Sequence, residues 1–315
     1  MNKNKTMQEH ELIETFANIF GNTPYLADAE ILPDHGGFAL FSVDSFSERE
    51  DFFQNLTPRQ IGHQMAYAAC SDILACGALS ECLLQSWSCD SAHGLDFYKE
   101  VSEGINEVLQ HYGAKCIGGD IGTANEWIWT ATVTGHASKP IRRVASQRID
   151  FDLYSSGPLG KANAAIFCGQ KLPIFALRQP VPQNSIFATD TSGGLLDALE
   201  NFRRVNHGLC LDLDVNASLS PEVQKLLPSN AHPGWTLVGG IGEYELLFAL
   251  PKGTACKDGI KIGTGHFCDA SSDNHIRLLW DGKYGVMKEA PPDYRNVPKE
   301  EWLSVTAEYW AALFD

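Results

Sequence analysis

Thr57-Pro58-Arg59-Gln60 opens, and Ala69-Cys70-Ser71-Asp72-Ile73-Leu74-Ala75-Cys76-Gly77-Ala78 closes, the stretch of sequence that decides the fold. Thr-x-x-Gln has the form of a capping box and proline occupies the first helical position, so a helix starts here. Ile61, Met65, Ala68, Ala69 and Cys76 mark one apolar stripe, and the same spacing places Asp72 on it. A carboxylate there is costly unless something pairs with it. Upstream, Phe38-Ala39-Leu40-Phe41-Ser42-Val43 reads as a strand ending on Asp44. Downstream, Leu83-Leu84-Gln85-Ser86-Trp87 suggests a second strand, and residues 95–112 form an amphipathic pattern stopped by Gly113. Ala114-Lys115-Cys116-Ile117 then runs as a strand into a glycine turn and an acid, Gly118-Gly119-Asp120, and another strand follows from Trp127 to Gly135. Strand, helix, strand, helix, strand, strand over residues 30–136 makes a self-contained α/β unit.

A Ser, Lys, Pro and Arg-rich segment, His136 to Arg143, marks a domain junction, which divides the chain into residues 1–138 and 139–315. Beyond it, Leu153 to Gly157 reads as a strand, Pro158-Leu159-Gly160 opens a helix to about Cys168, and Ile186-Phe187-Ala188-Thr189-Asp190 is a strand ending on an acid. Ser192 is placed as the cap of a helix through Leu195, Leu196, Leu199 and Phe202. Leu209, Leu211, Leu213 and Val215 alternate as a half-buried strand, Glu245 to Leu250 is another, and Asp281-Gly282 signals a hairpin. Trp302 and Trp310 belong to a short C-terminal amphipathic helix, where the spacing favours packing.

Composition narrows the function. The 315 residues carry 39 acids against 24 bases, a net charge of −15. A polyphosphate backbone or an anionic membrane selects a basic footprint, so neither nucleic acid nor membrane is the expected partner. No stretch approaches the roughly 18–20 apolar residues of a membrane span, and Met1-Asn2-Lys3-Asn4-Lys5 does not lead into a signal core, which makes the cytoplasm the expected compartment. The nine cysteines are odd in number with no CxxC pair, and read as reduced, small hydrophobic side chains. His35, His63 and His111 read as surface or packing residues, because no His-x-x-x-His pair occurs. Neither a P-loop, a Gly-x-Gly-x-x-Gly turn nor a Gly-x-Ser-x-Gly elbow is present.

What remains is a recurring acid. Asp44, Asp72, Asp120 and Asp190 each arrive at a strand end or a buried helix face. Any one of them alone is explained as a turn former or a cap. As a set without histidine or cysteine, they favour hard oxygen coordination of Mg2+, which an acidic protein needs in order to hold nucleotide phosphates.

Phe41-Ser42-Val43-Asp44, Ala69 to Ala78, Ile117-Gly118-Gly119-Asp120, Ala188-Thr189-Asp190-Thr191-Ser192-Gly193-Gly194-Leu195 and Tyr244-Glu245-Leu246-Leu247-Phe248 occur in the order and rough spacing of thiamine-monophosphate kinase. Over about residues 26–250 the chain resembles that family, part of the aminoimidazole-ribonucleotide-synthetase-like superfamily that also holds selenophosphate synthetase and a hydrogenase maturation factor. The resemblance implies an α/β (α+β) two-domain fold, with an N-terminal mixed-sheet domain that binds ATP and metal and pairs as a homodimer, and a C-terminal α/β sandwich domain. It implies ATP and Mg2+ as cofactors and a small-molecule substrate. It assigns Asp28, Asp44, Asp72, Asp120 and Asp190 to metal, Gly118, Gly119, Asp120 and Arg143 to the nucleotide, Asp190 and Ser192 to catalysis, and Glu48 and Asp51 to the substrate side.

Several positions depart from the family's pattern. Ala27 stands where the family has the first acid of a pair, Gly193 where it has the Asp of Ser-Asp-Gly, and Ile241-Gly242-Glu243 where it has Gly-Glu-Asp; Arg49 and Asp51 replace a Gly and a His beside Glu48. Glu30 and Glu243 are the nearby acids that would compensate. Three functions follow from this reading: an ATP- and Mg-dependent phosphotransferase on thiamine phosphate or another small substrate, an ATP-dependent dehydratase or cyclo-ligase, and a non-catalytic dimeric binding protein.

Overall fold

The computed structural model describes residues 9–51, 53, 55–269, 275–294 and 297–315, so the N-terminal Met1 to Lys5 lies outside the described residues. A helix α1 (Glu9–Phe20) precedes a hairpin of β1 (Glu30–Asp34) and β2 (Gly37–Ser47). Then come α2 (Pro58–Ala75), β3 (Ser80–Cys89), α3 (Leu95–Tyr112), β4 (Lys115–Thr123) and β5 (Ile128–Ala137). The five strands form one sheet in the order β1-β2-β5-β3-β4, antiparallel except for the β3–β4 pair.

The α2 helix begins as its sequence dictates. Thr57 Oγ1 accepts from Gln60 N, while Gln60 Oε1 accepts from Thr57 N at 3.0 Å, which satisfies two orphan donors reciprocally. Nearly all of α2 is buried, between the sheet and α3. The two helices touch through glycines: a Cβ on Gly62 would lie 1.9 Å from Val101 O, and one on Gly104 1.9 Å from Arg59 O. At α3's far end Gly113 takes the left-handed conformation, φ 72°.

Residues 151–286 build a second sheet. Its strands are β6 (Phe151–Ser155), β7 (Phe187–Asp190), β8 (Leu209–Asp214), β9 (Leu246–Pro251), β10 (Ile260–Phe267), β11 (His275–Trp280) and β12 (Lys283–Val286), in the order β12-β11-β8-β10-β6-β9-β7. The helices are α4 (Lys161–Phe167), α5 (Leu195–Val205), the one-turn α6 (Val215–Ser218), α7 (Val223–Leu226) and α8 (Trp235–Val238), and α9 (Trp302–Leu313). Leu209, Leu211 and Leu213 of β8 share a core with Leu195, Leu199 and Phe202 of α5 and Trp310 of α9. The opposite face, through Tyr154, Ala188, Phe248 and Leu250, joins the core of the first sheet. This is the two-sheet α/β arrangement that the sequence implies. Among the described residues no helix is long and apolar enough to cross a membrane.

Three local expectations are corrected. Asp44 lies inside β2 rather than at its end, because the inward alternation of Leu40, Ser42 and Asp44 continues to Phe46 and the pairing with β5 runs to Ser47–Ile128. Gly118-Gly119-Asp120 is strand rather than turn. The register shifts by one at Gly118, and a Cβ on Gly119 would sit 2.0 Å from Gln85 O, so these glycines serve a bulge and a close backbone approach. Ser192 does not cap α5; Gly194 does, at φ 92° without a side-chain bond, and Ser192 turns back to Asp190.

Candidate active site

Where the two sheets meet, α2 delivers Asp72, the connection before β1 delivers Asp28, and the end of β7 delivers Asp190. Each turns a carboxylate oxygen to within 4.8 Å of the other two. The side chain of Asp28 is 1% exposed and Asp190 as a residue 3% exposed. Short hydroxyl contacts hold the group: Ser42 Oγ donates to Asp72, Ser71 Oγ to Asp190 Oδ2 at 2.6 Å, Thr189 Oγ1 to Asp28 at 2.8 Å, and Ser192 Oγ to Asp190 Oδ1 at 2.9 Å. Arg143, in the segment between the sheets, is the cation of the cluster. It donates to Asp28 Oδ1 through Nη2, and to Thr189 Oγ1 through Nε at 3.1 Å.

One guanidinium does not offset so much buried negative charge. Burial pushes the Asp28 carboxyl up to about 6, against the pull of Arg143 and with the push of Asp190. Burial, then Asp190 and Asp51, pushes Asp44 up to about 7. Burial, then Asp44, Asp190 and Asp28, pushes Asp72 well above the carboxylate range. Asp44 thus belongs electrostatically with the trio, and Asp51 faces Asp44 from the turn after β2, where it also accepts from Ser47 N at 2.7 Å.

The other expected residues fall elsewhere. Strand pairing links Asp44 through Ala131 and Gln85 to Gly119, and Ser45 through Thr130 and Ser86 to Asp120. Asp120 therefore points from the face of the sheet opposite Asp44, on the exposed edge strand, and is not gathered with the other four acids within one chain. Glu48 sits with Asp90 and His93; His93 lies 2.9 Å from Asp90 Oδ2 and 3.7 Å from Glu48 Oε1. Glu245 is bound by Arg178 at 2.6 and 2.7 Å and accepts from Ser156, a packing role.

Neither nearby glutamate replaces a missing acid. Glu30 is exposed on β1, and Glu243 is buried, accepts from Ala162 N at 2.7 Å at the start of α4, and is pushed up to about 7 by that burial. Beside Gly193 lies a different acid, Asp197, which sequence reasoning did not single out. A Cβ on Gly193 would lie 2.4 Å from Asp197 Oδ2, so the Asp197 carboxylate fills the space beside the position where the family carries its acid. The available signal was the i, i+4 spacing from Gly193, one turn into α5.

The donor set is all carboxylate oxygen, drawn from a helix, a loop and two strands and mutually repelling, which fits a hard cation such as Mg2+ and not zinc. Residues 26–137 match the family model described as AIR synthase related protein, N-terminal domain. A thiamine-monophosphate kinase of Archaeoglobus fulgidus is 26% identical over 285 residues, which span 82% of this chain and 89% of the kinase. AaThiL complexed with AMPPCP and TMP superposes with a TM-score of 0.75 at 18% identity, covering 89% of this chain and 96% of that one. The HypE–HypF complex contains a chain of the same fold, with a TM-score of 0.69 at 15% identity, covering 89% of this chain and 99% of that one.

Proposed function

The chain is a member of the AIR-synthase-like superfamily, and from that premise we propose that it transfers a phosphoryl group from ATP to a small phosphate-bearing acceptor of the thiamine-monophosphate type. The observation that carries this reading is the convergence of Asp28, Asp72 and Asp190, with Asp44 beside them, where the two sheets join. Asp28, Asp44, Asp72 and Asp190 would hold Mg2+, with Asp197 standing in for the acid absent at Gly193. Bound there, Mg2+ would neutralise the phosphates of ATP and the charge that develops on the transferred group.

The chain's own residues do the rest. Arg143, already fixed to Asp28 and Thr189, supplies the positive charge on the nucleotide side. Ser192 and Asp190 would lie toward the transferred group, and the hydroxyls of Ser42, Ser71 and Thr189 hold the carboxylates in place. Glu48, Asp51, Asp90 and His93 border the acceptor side. Phe41, Val43, Leu84 and Ile117 leave the open face of the first sheet apolar, at 36%, 63%, 44% and 59% exposure, which supports pairing of two copies there. Such pairing would bring Gly118, Gly119 and Asp120 to the seam.

Calorimetry with ATP and Mg2+, then incubation with thiamine monophosphate and chromatography for the diphosphate, tests this. Mg-dependent ATP binding with diphosphate formed is the expected result. A flat titration sinks the nucleotide reading. ATP bound and consumed without transfer to thiamine monophosphate selects a second reading, activation of an amide or carboxylate oxygen; Arg49 and Asp51 already set the acceptor side apart from the thiamine enzyme's pattern.

A further inference from the structure

Away from the acid cluster, the second sheet carries a different set of side chains. Leu209, Leu211 and Leu213 of β8 point into the core, so Cys210 and Asp212 point to the other face. Over β10, β8 and β11 that face forms a groove of about 450 Å³, bordered by Cys210, Asp212, Thr264, His266, His275 and Arg277. None of the four clustered acids borders it.

Strand pairing concentrates soft ligands at one end of this groove. Cys210 pairs with His266 of β10 on one side and with His275 of β11 on the other, so all three share a face. Cys268 follows β10 directly. Its Sγ lies 3.0 Å from Cys210 Sγ and 3.6 Å from His266 Nε2, and the three ligand atoms fall within 4.8 Å of one another. The backbone beneath is fixed: Cys268 N donates to Gly208 O at 2.8 Å, and Arg148 donates to the carbonyls of His207 at 2.8 Å and Cys268 at 2.7 Å.

We propose that Cys210, His266 and Cys268 form a soft-metal site that takes Zn(II) through two thiolates and one imidazole, with its fourth position facing the groove beside His275. With Zn–S near 2.3 Å and Zn–N near 2.05 Å, a tetrahedral centre has S···N edges of about 3.6 Å and S···S edges of about 3.8 Å. The Cys268–His266 separation already has that value, and the thiols reach theirs by parting about 0.8 Å, a small side-chain rotation at half-exposed Cys268. Binding releases the two thiol protons to solvent. A disulfide is the competing use of two adjacent thiols. Here the Sγ–Sγ separation of 3.0 Å must close by about 1 Å for a disulfide and open by about 0.8 Å for zinc, and His266 beside the pair supplies a third ligand that only the metal uses.

The test is a Co2+ titration of the reduced, chelator-treated full chain with Mg2+ in excess to occupy the acid cluster. The expected result is one equivalent of tetrahedral cobalt with a thiolate-to-cobalt charge-transfer band, displaced by Zn2+; carboxylates give no such band. Cys210→Ser and Cys268→Ser should abolish the band. His266→Ala should weaken binding by more than the roughly 10–100-fold that loss of a ligand's hydrogen-bond partner costs. Unchanged circular dichroism and unchanged ATP binding in Cys268→Ser show that the variant is folded. Absence of the band from the reduced wild type, or its persistence in either serine variant, overturns the proposal. A Cys210–Cys268 disulfide found by peptide mapping, together with no cobalt band after reduction, overturns it in favour of a redox pair.

Discussion

Replacing Asp44 by asparagine separates a carboxylate kept for a cation from one kept for packing, because the two roles predict stability changes of opposite sign. In the folded chain the Asp44 carboxyl titrates at about 7 against an ordinary value of 3.8, raised by burial and then by Asp190 and Asp51. Between those pH values the folded state holds the proton more tightly than the unfolded state does. Metal-free stability therefore falls as pH rises through the window and is lowest above about pH 7. At 1.36 kcal/mol per pKa unit, the penalty at pH 8 is about 4 kcal/mol. Asp44→Asn removes it, and at roughly 2 °C per kcal/mol for a chain of this size Tm should rise by several degrees. The assay is thermal unfolding at pH 8 and pH 5, with and without Mg2+ and ATP. The variant should melt higher than the wild type at pH 8 without metal, lose that advantage at pH 5, and gain little from Mg2+ and ATP. The wild type should gain about 2.7 kcal/mol when ligand is at 100 times Kd. A metal-free variant that melts lower at pH 8, with the ligand response intact, would refute the reasoning and make Asp44 a packing residue.

Arg143→Met leaves Asp28 buried beside Asp190 without its cation; urea unfolding at pH 8 should show a loss of roughly 3–5 kcal/mol that shrinks toward pH 5 as Asp28 takes a proton. Asp197→Ala should weaken Mg-dependent ATP binding in calorimetry. Gly193→Asp alone should not help, because a Cβ there meets the Asp197 carboxylate at 2.4 Å, while the double variant Gly193→Asp, Asp197→Ala should recover binding. Val43→Glu, at an outward position of β2 that is 63% exposed, should convert a dimer to a monomer in light scattering with the melting profile of each chain's core preserved.

Legibility in the sequence followed the range of the interaction that fixes each residue. The start of α2 was readable because Thr57 and Gln60 satisfy each other within one turn. Asp72 was placed correctly on a buried face because helical spacing is local, and the resemblance brought in Asp28 and Arg143. Charge alone suggests a strand end at Asp44, whereas strand pairing carries β2 past it, and burial and Asp190, distant in the chain, raise its cost. The glycines at 118 and 119 look like a turn in one dimension, yet what requires them is the Gln85 carbonyl on the next strand. Asp197 is signalled only by its i, i+4 spacing from Gly193, and the Cys210, His266, Cys268 group is illegible because strand register brings it together.

The acid cluster also explains why the two sheets need so much apolar contact between them. Asp28, Asp44 and Asp72 come from the first unit and Asp190 from the second, so burial first, and the push of Asp190 after it, charge the junction with a cost. At neutral pH and without a cation, the ionisation of Asp28 and Asp44 opposes folding by about 3 and 4 kcal/mol. Against this, Tyr154, Phe248, Leu250, Leu246 and Val181 from the second unit bury themselves in the core of the first. At roughly 1.5–3 kcal/mol for each large apolar side chain, five such contacts contribute on the order of 10 kcal/mol, enough to hold the carboxylates together. Removing one of them by truncation to alanine, at about 2–5 kcal/mol, is therefore comparable to that ionisation penalty. A cation that offsets the penalty of burying these carboxylates should restore what such a truncation removes, so the sensitivity of a Leu250→Ala variant to Mg2+ and ATP measures how far packing and site chemistry are coupled.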